Sequence, residues 1–171
     1  MFLRSADGRN EKGQFERGFG MIIKENIKKK ITCAADIAKI LQRILAAEHE
    51  TDQDKEHFWV IGLNTRNKIN YIELNSLGIL DGCQIHPREV YRLAIMKACS
   101  SIIIAHNHPS GNLEPSTGDF LITETLRKAS EIMGITLLDH ILITKDNHYS
   151  FKGEGAFSCV PTNKKGGKNE N

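Results

Sequence analysis

The spacing of apolar residues changes rhythm several times along the chain, and each rhythm predicts an element. Ile37, Ile40, Leu41, Ile44 and Leu45 recur at helical intervals behind Thr32, which predicts an amphipathic helix capped by Thr32 and reaching about Glu50. A charged linker, residues 48–56, leads to the β-prone run 58–63. The turn-like Asn64, Thr65, Arg66 and Asn67 follow, and strand character resumes over 68–74, which reads as an antiparallel hairpin. A further short strand is expected around 79–85. Pro87 suits the first position of a helix carrying Val90, Leu93, Ala94 and Met96. The run 101–105 is continuously apolar, as a buried central strand requires. After a polar loop with Pro109, Gly111 and Pro115, Ser116 opens a helix reaching about Met133, where Gly134 ends it. Two last strands, 135–144 and 148–151, flank a turn at Asp146 and Asn147. Helix, hairpin, helix, strand, helix and hairpin in this order imply an α/β domain with a mixed sheet covered by helices. No internal repeat is present.

Composition sharpens this picture at the ends. Residues 1–30 are rich in Gly, Lys, Arg and Asn and read as a flexible basic arm, partly ordered where Met21, Ile22 and Ile23 form an apolar patch. Residues 31–153 read as the folded domain and 154–171 as a disordered tail. A length of 171 residues, 40% of them hydrophobic, and a mean hydropathy of −0.35 describe one soluble globular domain.

Charge adds little. The net charge of +2, from 23 basic and 21 acidic residues, makes no general electrostatic case for a nucleic-acid partner. The local clusters Lys24 with Lys28, Lys29 and Lys30, and Lys164 with Lys165 and Lys168, read as solvated surface. Cys33, Cys83, Cys99 and Cys159 form no CxxC pair, so neither a thiolate zinc cluster nor a disulfide framework is expected. No apolar run has transmembrane length and the N-terminus lacks a signal-peptide core. Reduced thiols, a cytoplasmic location and no membrane partner are the corresponding expectations.

The chemistry concentrates in SIIIAHNHPSGNLEPSTGD, residues 101–119. Alternation along an extended chain points His106 and His108 to one side, so two imidazoles can converge on one ion. Asp119 arrives from the first turn of the next helix. Two nitrogens and a carboxylate oxygen would leave a fourth tetrahedral position for water, the open arrangement of a catalytic zinc site. Each part also has an ordinary account. A His-x-His pair at a strand end can simply be solvated, Ser116-x-x-Asp119 is a capping box, and Pro109, Ser110 and Gly111 make a turn.

The complete spacing, His-x-His, seven residues, Ser, two residues, Asp, resembles the JAMM motif of the JAB/MPN metalloprotease family. The longer string HNHPSG with PS and Asp119 behind it, PREV upstream and LLDHILI downstream, is more narrowly similar to RadC proteins, from about Glu56 to Phe151. The resemblance implies a single MPN/JAB-like domain with a mixed, mostly antiparallel sheet and a cytidine deaminase-like layout. It implies Zn2+ held by His106, His108 and Asp119, and Ser116 helping to stabilise an oxyanion. It also implies a general-base glutamate upstream. Glu56 is the choice, because the family's glutamate precedes a strand leading into the core. Glu89 is the rival, although the helix dipole already accounts for an acid in a first helical turn.

The implied activity is hydrolysis of a peptide or isopeptide bond in a protein or peptide substrate. The alternative is a non-catalytic scaffold or a DNA-repair-associated module, although scaffolds of this family characteristically lack the histidines and aspartate. A nuclease ranks third, since phosphodiester work often uses two metals. RadC proteins typically carry a helical DNA-binding segment ahead of this domain. Only about 30 residues precede the first helix here, so the domain is expected to stand nearly alone.

His140, among apolar neighbours, reads as a core residue or a partner to a ligand, and Asp139 beside it as a candidate to orient a ligand imidazole. His49, His57, His86 and His148 read as surface or strand-edge residues, and Trp59 as core. Oligomeric state leaves no mark in the sequence.

Overall fold

In the computed structural model, residues 21–25, 30–78 and 85–158 are described. Among these residues six strands form one sheet: β1 (Met21–Glu25), β2 (His57–Leu63), β3 (Ile69–Leu77), β4 (Ser101–Asn107), β5 (Thr136–Ile143) and β6 (His148–Ser150). Their order across the sheet is β1-β3-β2-β4-β5-β6. Neighbours are antiparallel except β4 and β5, which run parallel. A parallel pair needs a crossover, and the helix α4 (Thr117–Met133) supplies it. The other helices are α1 (Ala34–Ala46), the single turn α2 (Glu50–Gln53) and α3 (Pro87–Met96).

Both faces of the sheet are covered, which explains why β2 and β4 are buried at every residue. On one face α1 buries Ile37, Ala38 and Leu41 against Trp59, Ile61, Ile103 and Ala105. On the other, Val90, Tyr91 and Ala94 of α3 and Leu126 of α4 pack with Phe58, Val60, Ile102 and Ile104. Odd and even residues of the central strands thus serve different layers.

Several expectations need adjusting. The helix N-cap is Cys33, not Thr32. Thr32 instead donates from its backbone N–H and hydroxyl to Asp36 Oδ2, at 3.0 and 2.8 Å. The helix ends at Ala46 rather than near Glu50, and the charged linker contains α2, whose cap is the side chain of His49. The patch at Met21, Ile22 and Ile23 lies in β1, an edge strand paired with β3. Beyond the domain's expected end, Ala156–Ser158 forms a 3-10 turn. The strand expected around 79–85 falls outside the described residues, except Ile85, which is in no strand. The basic run Lys28 and Lys29 also falls outside them, as does the tail from 159. Pro87 at the start of α3, Ser116 as N-cap of α4 and Gly134 at its left-handed end (φ 64°) are as expected. Among the described residues Cys33 and Cys99 are free thiols, and no helix is long and apolar enough to cross a membrane.

Two tight spots lie in the α3-facing layer. A Cβ added to Gly62 would come within 2.0 Å of the Tyr71 ring, so β2 needs glycine where it passes that side chain. Glu73, wholly buried on β3, accepts from Arg92 Nη2 at 3.2 Å through one oxygen, while its Oε2 has no hydrogen-bond partner among the described residues. Burial pushes its carboxyl up to about 7, against the opposing pull of Arg92.

Gly62→Ala is expected to destabilise by about 1–3 kcal/mol through this overpacking, measured by denaturant unfolding. Glu73 predicts a pH effect. A carboxyl raised in the folded state binds its proton more tightly there, so its contribution is present at low pH and is lost as pH rises through about 7. Wild type should therefore lose up to about 3 kcal/mol relative to Glu73→Gln between pH 4.5 and 7.5. Parallel stability curves for the two proteins would refute the assignment.

Candidate metal centre

His106 occupies the penultimate position of β4, and His108 lies just beyond the strand's end. Strand alternation puts both rings on the face that α4 covers. Asp119 is the third residue of α4, where the capping box holds it. Ser116 Oγ accepts from Asp119 N–H at 3.2 Å, and Asp119 Oδ2 accepts from Ser116 N–H at 2.7 Å and from Ser116 Oγ at 2.8 Å. The cap and the carboxylate's position are therefore one arrangement.

The three side chains converge. His106 Nε2 lies 2.9 Å from His108 Nε2 and 3.0 Å from Asp119 Oδ1, and His108 Nε2 lies 3.6 Å from Asp119 Oδ2. Among the described residues these three form a group whose ligand atoms lie within 4.8 Å of one another, as holding a metal ion requires. His106 and Asp119 are buried, and His108 is partly exposed at 13% of its side chain.

Hydrogen bonding decides which nitrogen of each ring faces the centre. Thr123 Oγ1 donates to the Asp119 backbone carbonyl, which can only accept. The hydroxyl is then free to accept from His140 Nδ1–H, at 2.6 Å. His140 is fully buried, and burial first, with His106 also contributing, holds its pKa well below the usual value and keeps the ring neutral. Its remaining Nε2 therefore accepts from His106 Nδ1–H at 2.9 Å. On the other side His108 Nδ1–H donates to the Asn112 carbonyl at 2.6 Å. In their neutral forms both candidate ligand histidines thus turn a bare Nε2 inward.

Two bare nitrogens and a carboxylate are three acceptors with no donor among them. Such a group is stable only around a cation or a shared proton. The titration shifts express the same demand. Burial pushes the Asp119 carboxyl up, but the facing His106 and His108 rings, each a donor to it once protonated, and the Ser116 N–H outweigh burial and hold the group well below the usual carboxylate range. The Asp119 carboxylate raises the His108 pKa, burial opposes it, and Asn112 and Glu56 add to the rise.

That last influence places Glu56 within electrostatic reach of the cluster. Glu56 directly precedes β2, whose Phe58 pairs with His106. With Asp54, Lys55, Gly78, Pro109 and Ser110 it lines a cavity of about 500 Å3. Glu89 lies elsewhere, held by Arg88 at 3.4 Å and Arg92 at 3.8 Å.

Other expected positions resolve differently. Asp139 faces away from the imidazoles, because alternation sends it to the opposite side of β5 from His140. It accepts from Ser150 Oγ, Lys152 N–H and His140 N–H, and so fastens the turn after β6. His140 itself contacts His106 and stacks on Phe151 at 4.7 Å. His57 is not at the surface: it is wholly buried, stacked on Trp59 at 5.1 Å and bonded to the Lys55 carbonyl and Glu48. Sequence reasoning passed over Thr123, although it lies one helical turn beyond Asp119 on the same face of α4. It also passed over Asn107, which sits between the two histidines.

A three-layer α/β domain with a His-His-Asp centre at the end of its central strand defines a class of possible metal-binding proteins. The chain belongs to the RadC-like JAB domain family, whose pattern matches residues 31–156. A UPF0758 protein of Pelodictyon phaeoclathratiforme is 42% identical over 141 residues, covering 82% of this chain and 61% of that one. One from Chlorobium phaeovibrioides is 40% identical over 144 residues, covering 84% and 62%. One from Listeria innocua is 44% identical over 127 residues, covering 74% and 54%. The chain thus spans roughly 54–62% of the length of these curated relatives.

The capping box makes a direct prediction. Ser116→Ala should destabilise the protein by about 1–2 kcal/mol, since it removes the cap and one hydrogen bond to buried Asp119. Thermal unfolding of the two proteins side by side measures this, and an unchanged midpoint would contradict the coupling of cap and carboxylate.

Proposed function

We propose that this domain is a zinc-dependent metallohydrolase of the JAMM type, cleaving a peptide or isopeptide bond in a protein or peptide substrate. The observation that carries the reading is the set of three inward acceptors, buried His106 Nε2 and Asp119 and half-buried His108 Nε2, with no donor among them. Two nitrogens and one carboxylate fit zinc and leave room for water. When bound, zinc would supply the Lewis acidity that makes water a nucleophile near neutral pH.

The chain's own groups have the following roles in this proposal. His106, His108 and Asp119 hold the ion, and Thr123 through His140 fixes the His106 tautomer. Glu56 takes a proton from water and returns it to the leaving amine. Ser116 has its hydroxyl on Asp119 Oδ2, so its first role is to fix that carboxylate. To stabilise developing negative charge on the substrate oxygen as well, the hydroxyl must turn from Asp119. The scissile bond would lie at the His106–His108–Asp119 centre, with the substrate chain reaching it from the cavity lined by Glu56, Pro109 and Ser110.

Membership of the RadC-like JAB family is equally compatible with a module that does no chemistry, and the test is chosen to separate the two. Protein purified without a histidine tag should contain about one zinc per chain by mass spectrometry, and His108→Ala should contain none. A peptide-library screen should then show cleavage that Glu56→Gln abolishes while keeping its zinc. Absence of zinc, both as purified and after adding it back, would overturn the enzyme reading. Thr123→Val should weaken zinc affinity about tenfold to a hundredfold by freeing the His140–His106 pair, measured by chelator competition. Unaltered affinity would refute the tautomer chain.

A further inference from the structure

Between the two candidate ligand histidines stands Asn107, 1% exposed. Alternation sends its side chain to the face of β4 opposite theirs. There its amide meets the backbone on both sides of Glu56. Oδ1 accepts from His57 N–H at 2.6 Å, and Nδ2 donates to the Lys55 carbonyl at 2.9 Å. Only this orientation of the amide satisfies both partners.

The location explains why a side chain is needed. β2 and β4 pair antiparallel from Leu63↔Ser101 up to Phe58↔His106, where the backbone ladder ends. An asparagine side chain is itself an amide, with one carbonyl and an N–H pair, and it supplies one further rung where the backbone ladder has ended. The Lys55 carbonyl also accepts from His57 Nδ1 at 2.8 Å, and His57 Nε2 lies 2.7 Å from Glu48 Oε2. The backbone flanking Glu56 is thus fastened at both of its neighbours, from the far side of the sheet.

We propose that Asn107 is a positioning residue: its amide clamps the backbone at Lys55 and His57 and so holds Glu56 beside the His106–His108–Asp119 centre. The inference rests on the metallohydrolase reading for what Glu56 does there, but the clamp itself is visible without metal. Each register of the strand end thereby serves one job, His106 and His108 the ion and Asn107 the acid that works with it. Asn107 touches neither ion nor substrate and acts through Glu56.

The test compares wild type, Asn107→Asp, Asn107→Ala and Glu56→Gln with two readouts. The aspartate variant is nearly isosteric and keeps the acceptor for His57 N–H while losing the donor to Lys55, so it guards against a failure of the alanine variant to fold. First, amide hydrogen exchange is followed in the metal-free proteins. The His57 amide should exchange roughly tenfold faster or more in Asn107→Ala, the loss of one buried hydrogen bond, and remain protected in Asn107→Asp. Second, each protein is loaded with cobalt(II) and its visible absorption is recorded against pH. Asn107→Asp and Asn107→Ala should bind one equivalent of cobalt, as wild type does, yet shift the spectral pH profile in the direction that Glu56→Gln shifts it. A purely structural role would leave that profile where it is. Unchanged His57 exchange in Asn107→Ala overturns the clamp. Cobalt spectra of the Asn107 variants matching wild type, while Glu56→Gln differs, overturn the positioning role alone. A wild-type protein that takes up no cobalt overturns the metallohydrolase reading and, with it, the role of Glu56 that Asn107 is proposed to support.

Discussion

Two imidazole nitrogens and a carboxylate face one another at 2.9 to 3.6 Å at the end of β4, and each ring's other nitrogen is already engaged elsewhere. Acceptors crowded together in a buried place repel unless something positive joins them. The surrounding structure tightens this constraint. Thr123 holds His140, His140 holds His106, Asn112 holds His108, and the α4 cap holds Asp119. Loosening any of these bonds would let a ring turn and relieve the crowding. The fold instead keeps the lone pairs aimed inward.

What makes such rigidity possible is a sheet covered on both faces. The central strands are buried throughout, so a one-residue slip would exchange the two layers' side chains and is strongly disfavoured. With the register held, alternation divides the labour. On the face toward α3 and α4 lie His106, His108 and His140, which meet at the candidate metal centre. On the face toward α1 lie His57, Asn107 and Asp139, and each of these ties down a backbone segment. Polar groups occur on both sides of the strand ends. On one side they meet at a common point, and on the other they bond to peptide groups.

Family membership narrows the setting without fixing the reaction. The matched region covers the whole sheet beyond β1, and the curated relatives carry a name that states no activity. Glu56 and the neighbouring cavity lie on the same side of the molecule as the three candidate ligands, which is where hydrolytic chemistry would need them.

Much of this was legible in the sequence. The apolar rhythm placed β2, β3, β4, β5 and the helices α1, α3 and α4 within a few residues, because each buries a face whose period is local. Pro87, Ser116 and Gly134 marked helix ends through backbone chemistry that depends on one or two neighbours. His106, His108 and Asp119 stood out because strand alternation and a first helical turn are also local geometry. The interactions that cross between elements were decided only by the tertiary structure. Trp59 was placed in the core from its residue type, but His57 was read as a surface or strand-edge residue, since its burial depends on Glu48 and Lys55 folding back over it. Asp139 and His140 are adjacent and equally polar in the sequence. Only the packing of α4 on one face of β5, and of the Ser150–Lys152 turn at the other, separates a histidine that touches the centre from an aspartate that does not. The strand β1 was hidden for a related reason: an edge strand takes its order from the partner it pairs with, and that partner, β3, lies about fifty residues further along the chain.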